Sequence, residues 1–404
     1  MSLNTASEAL DSAKEITERG LDFLRSHSNP EEQQVFLYDL SHASSAIAIA
    51  ESFLSFAEKG EEEKGIVELF CADTLRAVAA MCFGREDIWR LESSTLAVLN
   101  QYVAEHGTPQ KYSIASLSSQ ESHLSDELEL VAKTFRRFGK DHIEHLAEQV
   151  HRKDLDVPEE IIAGLAQMGC FGLSIPQEYG GSASGSIKDM YGMVIATEEL
   201  SRASLSIGGS LITRPEILAR AIENGGTDEQ KRTLLPKIAS GDLMSAVAVT
   251  EPDHGSDVAS IAMSARPEPS GSWKLNGVKT WCTFAGRADL LMVLARTNPD
   301  TSQGHRGLSV FVVEKERADG HSFDFQQESG GRMQGKAIPT LGYRGMHSFE
   351  IAFQDWVVPE DSLIGGVEGE GQGFYLQMAG FENGRLQTAA RAVGVMQRAY
   401  EEAV

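Results

Sequence analysis

Residues 1 to 107 place their apolar side chains every three to four positions, the period of helices with one buried face. "TASEALDSAKEITERGLDFL" does so through Ala9, Leu10, Ala13, Ile16, Leu21 and Leu24. "SHASSAIAIAESFLSFAEKG" follows with Gly60 as a C-terminal cap, and then "GIVELFCADTLRAVAAMCFG". The period breaks in "HGTPQKYSIASLSSQESHLSD", whose Gly, Pro and serines read as a linker. A second helical run starts at Asp126 with "DELELVAKTFRRFGKDHIEHLAEQV". It ends on "TDEQKRTLLPKIASGD", where Thr227 is the expected N-cap.

Around Met244 the period drops to two. "SAVAVTE", "SWKLNGVKTWCTF", "ADLLMVLART", "LSVFVVEK", "SFDFQQ" and "SFEIAFQDWVV" predict strands at the spacing of an antiparallel barrel or sandwich. Asn276-Gly277 is the expected hairpin turn in the second of them. After the Gly-rich "GGVEGEGQGF" the helical period returns in "YLQMAGFENGRLQTAARAVGVMQRAYEEAV" and is still running at Val404. Helices, a β unit, then helices again make an α+β chain, not an alternating βαβ one. The expected division is an extra N-terminal helical unit at 1–118 and a helical domain at 119–243, then a central β domain at 244–360 and the beginning of a C-terminal helical bundle at 361–404. "GEGQGF" opens a helix but follows no βαβ turn, so it is a poor dinucleotide fingerprint.

Composition narrows the function classes. The chain has 404 residues, 41% of them hydrophobic, enough for more than one core. A net charge of −23 argues against nucleic acid or an anionic membrane as partner. No run approaches the roughly 20 apolar residues of a membrane span. The N-terminus lacks a basic and then apolar signal, so a soluble cytoplasmic protein is expected. Cys71, Cys82, Cys170 and Cys282 lie far apart, with no CxxC pair and no His at ligand spacing. No metal is expected, and scattered thiols fit a reducing compartment.

Two stretches carry candidate chemistry. "AVTEPDHGSD" runs from a strand into a loop and, taken alone, is a solvated turn. "NGVKTWCTF" alternates, which puts Trp281 and Thr283 on one face and Cys282 on the other. An indole beside a hydroxyl suits a flat heteroaromatic ring, although a buried structural Trp would read the same way. Cys282 has no base at matching spacing and reads as a small strand residue. With the second stretch in view, Thr250 offers a hydroxyl, and Gly255-Ser256 offers backbone N–H groups that phosphate oxygens could approach. His254 reads as a loop residue.

"GLSIPQEYGG", "VTEPDHGSD", "NGVKTWCTF", "GYRGMHSFEIAFQDWVVP" and "MAGFENGRL" resemble, in order, the acyl-CoA dehydrogenase family from about residue 120 onward. The resemblance implies a helical domain, a β domain and a C-terminal four-helix bundle, with FAD between the last two. The implied activity is α,β-dehydrogenation of an acyl-CoA thioester. Flavin contacts would come from Thr250, Trp281 and Thr283, and pyrophosphate and thioester-side contacts from Gly255 and Ser256. Glu382 and Arg385 fall where the family contacts CoA, or else form an i,i+3 surface ion pair. Family members remove the α-proton with a glutamate. Where some carry it on the last helix, this chain has Gly384. The other location lies beyond Val404, so the catalytic base is unassigned and the chain is expected to be a fragment.

The family further implies an electron-transfer flavoprotein as acceptor and a homodimer or homotetramer. The extra N-terminal unit, "LITRPEILARAI" and "FENGRLQTAARAVG" resemble members that act on a short, branched acyl-CoA carrying a second carboxylate. Arg214 stands at a helix start in the region that lines the acyl pocket in the family. It is expected to face that carboxylate unless Glu216 or Glu223 pairs with it. A short- or branched-chain dehydrogenase, an oxidase of the same fold and a non-catalytic flavin- and CoA-binding homologue stay open beside this reading.

Overall fold

Four helices bury the first apolar stripes, α1 (Ser2–Arg25), α2 (Gln34–Phe53), α3 (Glu61–Cys82) and α4 (Thr95–His106), and α5 (Pro109–Ala115) follows them. The computed structural model describes residues 2–91, 95–115 and 122–403. These helices belong to a compact unit spanning 1–123, with its own core of Leu10, Ile16, Phe36, Ile47, Leu75 and Leu99 around Trp89. Phe36 meets Trp89 edge-on at 4.8 Å, a favourable quadrupole arrangement. Glu61, Glu62 and Glu63 fill the first turn of α3, where the helix dipole favours acids. Helix α5 occupies part of the stretch read as a linker, because Pro109 is pre-set for a helix start. Residues 116–121 of that stretch lie outside the described residues.

The second unit spans 124–404. It opens with α6 (Asp126–Phe138), α7 (Glu144–Lys153), α8 (Glu159–Gln167), α9 (Ile187–Ala203), α10 (Thr213–Gly225) and α11 (Asp228–Ala239). Thr227 caps α11 as expected, in a reciprocal box with Gln230. The Gln230 amide also reaches Asp361 and Leu363 carbonyls at 2.8 Å each, which ties α11 to the chain beyond the sheet.

Eight strands follow: β1 (Ser245–Ala248), β2 (Ser264–Pro267), β3 (Trp273–Thr283), β4 (Leu290–Arg296), β5 (Leu308–Glu314), β6 (Ser322–Gln326), β7 (Arg332–Ala337) and β8 (Ser348–Val358). They form one sheet in the order β1-β4-β2-β3-β8-β7-β6, with β5 paired to β4. Most pairs are antiparallel, but β4 takes β1 and one residue of β2 in parallel, so the sheet is mixed. Strands β2 and β7 escape the period-two reading because they are short and largely polar. After the sheet, α12 (Gly373–Ala403) packs along α9 and α10. At Gly394 a Cβ would stand 2.2 Å from the Glu198 carbonyl of α9, so the approach requires glycine.

Two expectations about β3 are corrected. Asn276-Gly277 is no hairpin turn, for β3 runs through it and pairs with β8 on both sides of a bulge. The Asn276 side chain instead donates to the Asp355 carboxylate (3.1 Å) and accepts from the Asp355 N–H (2.9 Å). Gly277 sits at φ 147° with Met263 within 2.8 Å of any added Cβ, so a glycine was required by close packing, not by a turn. The strict alternation also fails. A second irregularity between Lys279 and Cys282 puts Trp281 at φ 57° and 55% exposed, while Cys282 and Thr283 are both buried.

Candidate functional site

The site begins with how two segments are joined. β1 ends at Ala248, so Thr250 lies just past the strand, and its carbonyl accepts from the Thr280 N–H at 2.8 Å. Beside this bond lies Lys279, with a fully buried side chain. Its ammonium donates to the Val249 carbonyl (2.8 Å) and to Glu251 (2.9 Å). Glu251 turns inward from the loop and also accepts from the N–H groups of Ala262 (2.7 Å) and Met263 (2.9 Å). Burial alone would raise the Glu251 pKa, but Lys279 and the two N–H groups prevail and hold it below the usual carboxylate value. Burial pushes the Lys279 ammonium down as well, against the pull of Glu251. With three donors on the carboxylate and two oxygens on the ammonium, the pair is ionised. Sequence reading missed it, although a lysine inside an apolar strand was a signal.

This joint brings Thr250, Thr280, Trp281 and Thr283 to one cleft, which Arg214 and Phe381 close. The bulge is what turns Trp281 outward to line it, at a backbone conformation costly for a bulky residue. The Thr283 hydroxyl shares a hydrogen bond with Ser348 at 2.9 Å and keeps capacity for one more. Cys282 faces inward, and burial pushes its thiol up to about 12, so it is no nucleophile.

A second cleft shares Arg214, Ile217 and Phe381 with the first and adds Gly384, Arg385 and Arg391. None of the residues lining these two clefts is Asp or Glu. Arg214 does not pair with either nearby acid. Glu216 is buried and taken by Ser174 (2.7 Å), Asn383 (2.8 Å) and Gln387 (2.5 Å), and burial raises its pKa. Glu223 is bound to Arg220 at 3.0 Å. Arg214 is left with the Tyr343 hydroxyl at 3.4 Å, and its Nε is buried with no partner. Arg391 reaches the same hydroxyl at 3.1 Å, with Ser210 and Thr388 as its other partners. Burial and the neighbouring Arg214 push its pKa down, while Tyr343 supports the charge. Arg391 and Tyr343 were not singled out from the sequence.

The other expected residues stay apart. Gly255 and Ser256 are exposed on the loop after Glu251 and line neither cleft. A Cβ on Gly255 would meet nothing within 4 Å, so nothing within this chain demands glycine there. Glu382 and Arg385 are both exposed on α12, and among the described residues no ion pair joins them. A third cleft holds Ser174, Ser186, Asp189, Arg220, Glu223 and Asn383, but its arginine is already neutralised by Glu223. Among the described residues lining the first two clefts, Arg214, Arg385 and Arg391 have no carboxylate partner, and Arg214 and Arg391 meet at Tyr343.

Residues 125–242 match the family model described as acyl-CoA dehydrogenase, N-terminal domain, and residues 246–356 match its middle domain. The chain is 34% identical over 282 residues to an acyl-CoA dehydrogenase of Bacillus subtilis (strain 168), covering 70% of this chain and 68% of the relative. It belongs to the acyl-CoA dehydrogenase family. It is also 43% identical over 281 residues to (2S)-methylsuccinyl-CoA dehydrogenase of Cereibacter sphaeroides, covering 69% of this chain and 49% of that relative. The chain therefore spans about half the length of this relative. Among solved structures it resembles the glutaryl-coenzyme A dehydrogenase glutaryl-CoA complex, with a TM-score of 0.60 and 28% identity over 69% of this chain and 66% of the other.

Proposed function

We propose that the chain serves FAD-dependent α,β-dehydrogenation of a short, branched, dicarboxylic acyl-CoA, with (2S)-methylsuccinyl-CoA going to mesaconyl-CoA. The observation that carries this reading is the pair Arg214 and Arg391, two guanidinium groups meeting at Tyr343 with no protein carboxylate. A half-buried charge without a counterion carries part of the cost of a buried one, and a diacid substrate brings the counterion with it. Guanidinium forks suit a carboxylate better than an ammonium would. The name of the Cereibacter sphaeroides relative points the same way.

The first cleft would take the flavin ring of FAD. The Trp281 indole is 55% exposed at a strained backbone position, and Thr250, Thr280 and Thr283 line the same cleft. Trp281 would pack on the ring system, Thr250 and Thr283 would hydrogen-bond it, and Gly255 and Ser256 would reach phosphate or thioester. Bound FAD supplies the two-electron acceptor of the reaction. Arg385 and Glu382 would meet the CoA portion. An electron-transfer flavoprotein as acceptor, a homodimer or homotetramer, and the division at 118, 243 and 360 belong to the same proposal.

Arg214→Met tests the reading in the flavin-loaded protein, titrated with methylsuccinyl-CoA and with isobutyryl-CoA. The expected result is at least about tenfold weaker binding of the diacid, or 1.4 kcal/mol, with the neutral thioester unharmed. Equal losses on both would overturn it. A second reading, a flavin- and CoA-binding homologue without turnover, draws on the absence of any carboxylate lining the two clefts. Anaerobic bleaching of the flavin by methylsuccinyl-CoA excludes it, and peroxide formed in air would mark an oxidase.

A further inference from the structure

At the end of α7 the chain turns through Asp154, which is held in the left-handed region at φ 53°. His321, in the loop before β6, and His347, immediately before β8 at φ 31°, converge on its carboxylate. His347 Nε2 lies 3.2 Å from His321 Nε2 and 3.2 Å from Asp154 Oδ1, and His321 Nε2 lies 3.6 Å from Asp154 Oδ2. Ligands about 2.0–2.1 Å from a tetrahedral zinc ion stand about 3.3–3.4 Å from one another. The two separations from His347 Nε2 are close to such an edge, and the third runs to the other oxygen of the same carboxylate.

We propose that Asp154, His321 and His347 form a binding site for a divalent transition-metal ion of the zinc type. With both rings neutral and protonated on Nδ1, the atoms facing inward would all be acceptors. Asp156 Oδ1 lies 3.0 Å from His347 Nδ1, and with the proton on that nitrogen a neutral ring would turn its Nε2 lone pair toward the Asp154 carboxylate. His321 Nε2 likewise faces the Asp154 backbone carbonyl at 3.2 Å as well as the other ring. Four acceptors around one point require protons or a cation among them. Asp156 also accepts from the Gly320 N–H at 2.6 Å, so a single carboxylate orients one histidine and the backbone beside the other. That is the supporting shell metal-bound histidines ordinarily have. Arg344, 3.6 Å from Asp154 Oδ1, also donates to the carbonyls of His151 (3.0 Å) and Thr340 (3.4 Å), so it keeps partners when the carboxylate turns to an ion. The next residue, Ser348, holds Thr283 of the first cleft, so an ion here would brace that strand start from outside the cleft. Sequence spacing hides the site, because its ligands come from three distant segments.

The test is a Co²⁺ titration of chelator-treated, tag-free protein, read in the visible d–d bands beyond the flavin absorption, with Zn²⁺ as competitor. One equivalent per chain with tetrahedral band intensity is expected, displaced by Zn²⁺. His321 is half-exposed, so His321→Ala should keep its circular dichroism and melting point while losing the bands. Asp156→Asn should weaken binding about 10- to 100-fold. No Co²⁺ bands, or equal affinity in His321→Ala, would overturn the proposal and leave a proton-held cluster. The readout is independent of turnover and of the proposed substrate.

Discussion

Lys279 is the side chain on which the first cleft most depends. Replacing it with methionine would leave Glu251 buried without its countercharge, a loss of about 3–5 kcal/mol for a pair broken on one side. Thermal unfolding of Lys279→Met at neutral pH should show that loss, together with weaker FAD retention, because the Val249 carbonyl beside Thr250 loses its donor. The pH dependence has a definite sign. The folded-state pKa of Glu251 is lowered, so its contribution is present above the ordinary carboxylate pKa and lost as pH falls through the lower folded value. The deficit of Lys279→Met should therefore shrink as pH falls from neutral, since without the ammonium burial raises the Glu251 pKa and the protonated carboxyl needs no countercharge. A deficit constant from neutral to acid pH would show that Lys279 acts through packing alone.

At the scale of elements, β3 shows what the pattern of residues reveals and what it hides. Its position was legible, because an apolar run and a strand end followed by Pro and Gly are local signals. The grouping of Thr250, Trp281 and Thr283 rests instead on the family resemblance and not on alternation, which the bulge breaks. The bulges were not legible. They depend on what lies opposite, namely Asp355 across from Asn276 and Met263 beneath Gly277. For the same reason the helices were readable, while the bonds joining Arg391 to Tyr343 and Lys279 to Glu251 were not. Such contacts span tens of residues and leave no periodic trace. Arg214 was legible as a candidate, but only the engagement of Glu216 and Glu223 elsewhere isolates it. Gly277→Ala measures the hidden part. A Cβ pressed against Met263 at φ 147° should cost more than about 1 kcal/mol, seen as a lower denaturant midpoint with an unchanged slope. A neutral result would mean the bulge relaxes freely.

The whole molecule carries a net charge of −23, yet the mouth of its two clefts holds Arg214, Arg385 and Arg391. The proposed anionic thioester would thus be repelled at long range and attracted at contact. Added salt, which shortens the screening length to about 8 Å at 0.15 M and about 3 Å at 1 M, should speed association and also speed release. Stopped-flow rates at several ionic strengths check this, and slower association with salt would show that the arginines already dominate at a distance. The placement of Trp281 has one more consequence, an optical one. The chain has four tryptophans, of which Trp89, Trp273 and Trp356 are 0%, 8% and 7% exposed against 55% for Trp281. An aqueous quencher such as iodide therefore sees a single indole, and the quenchable part of the protein's own fluorescence is a built-in gauge of whether that cleft is covered.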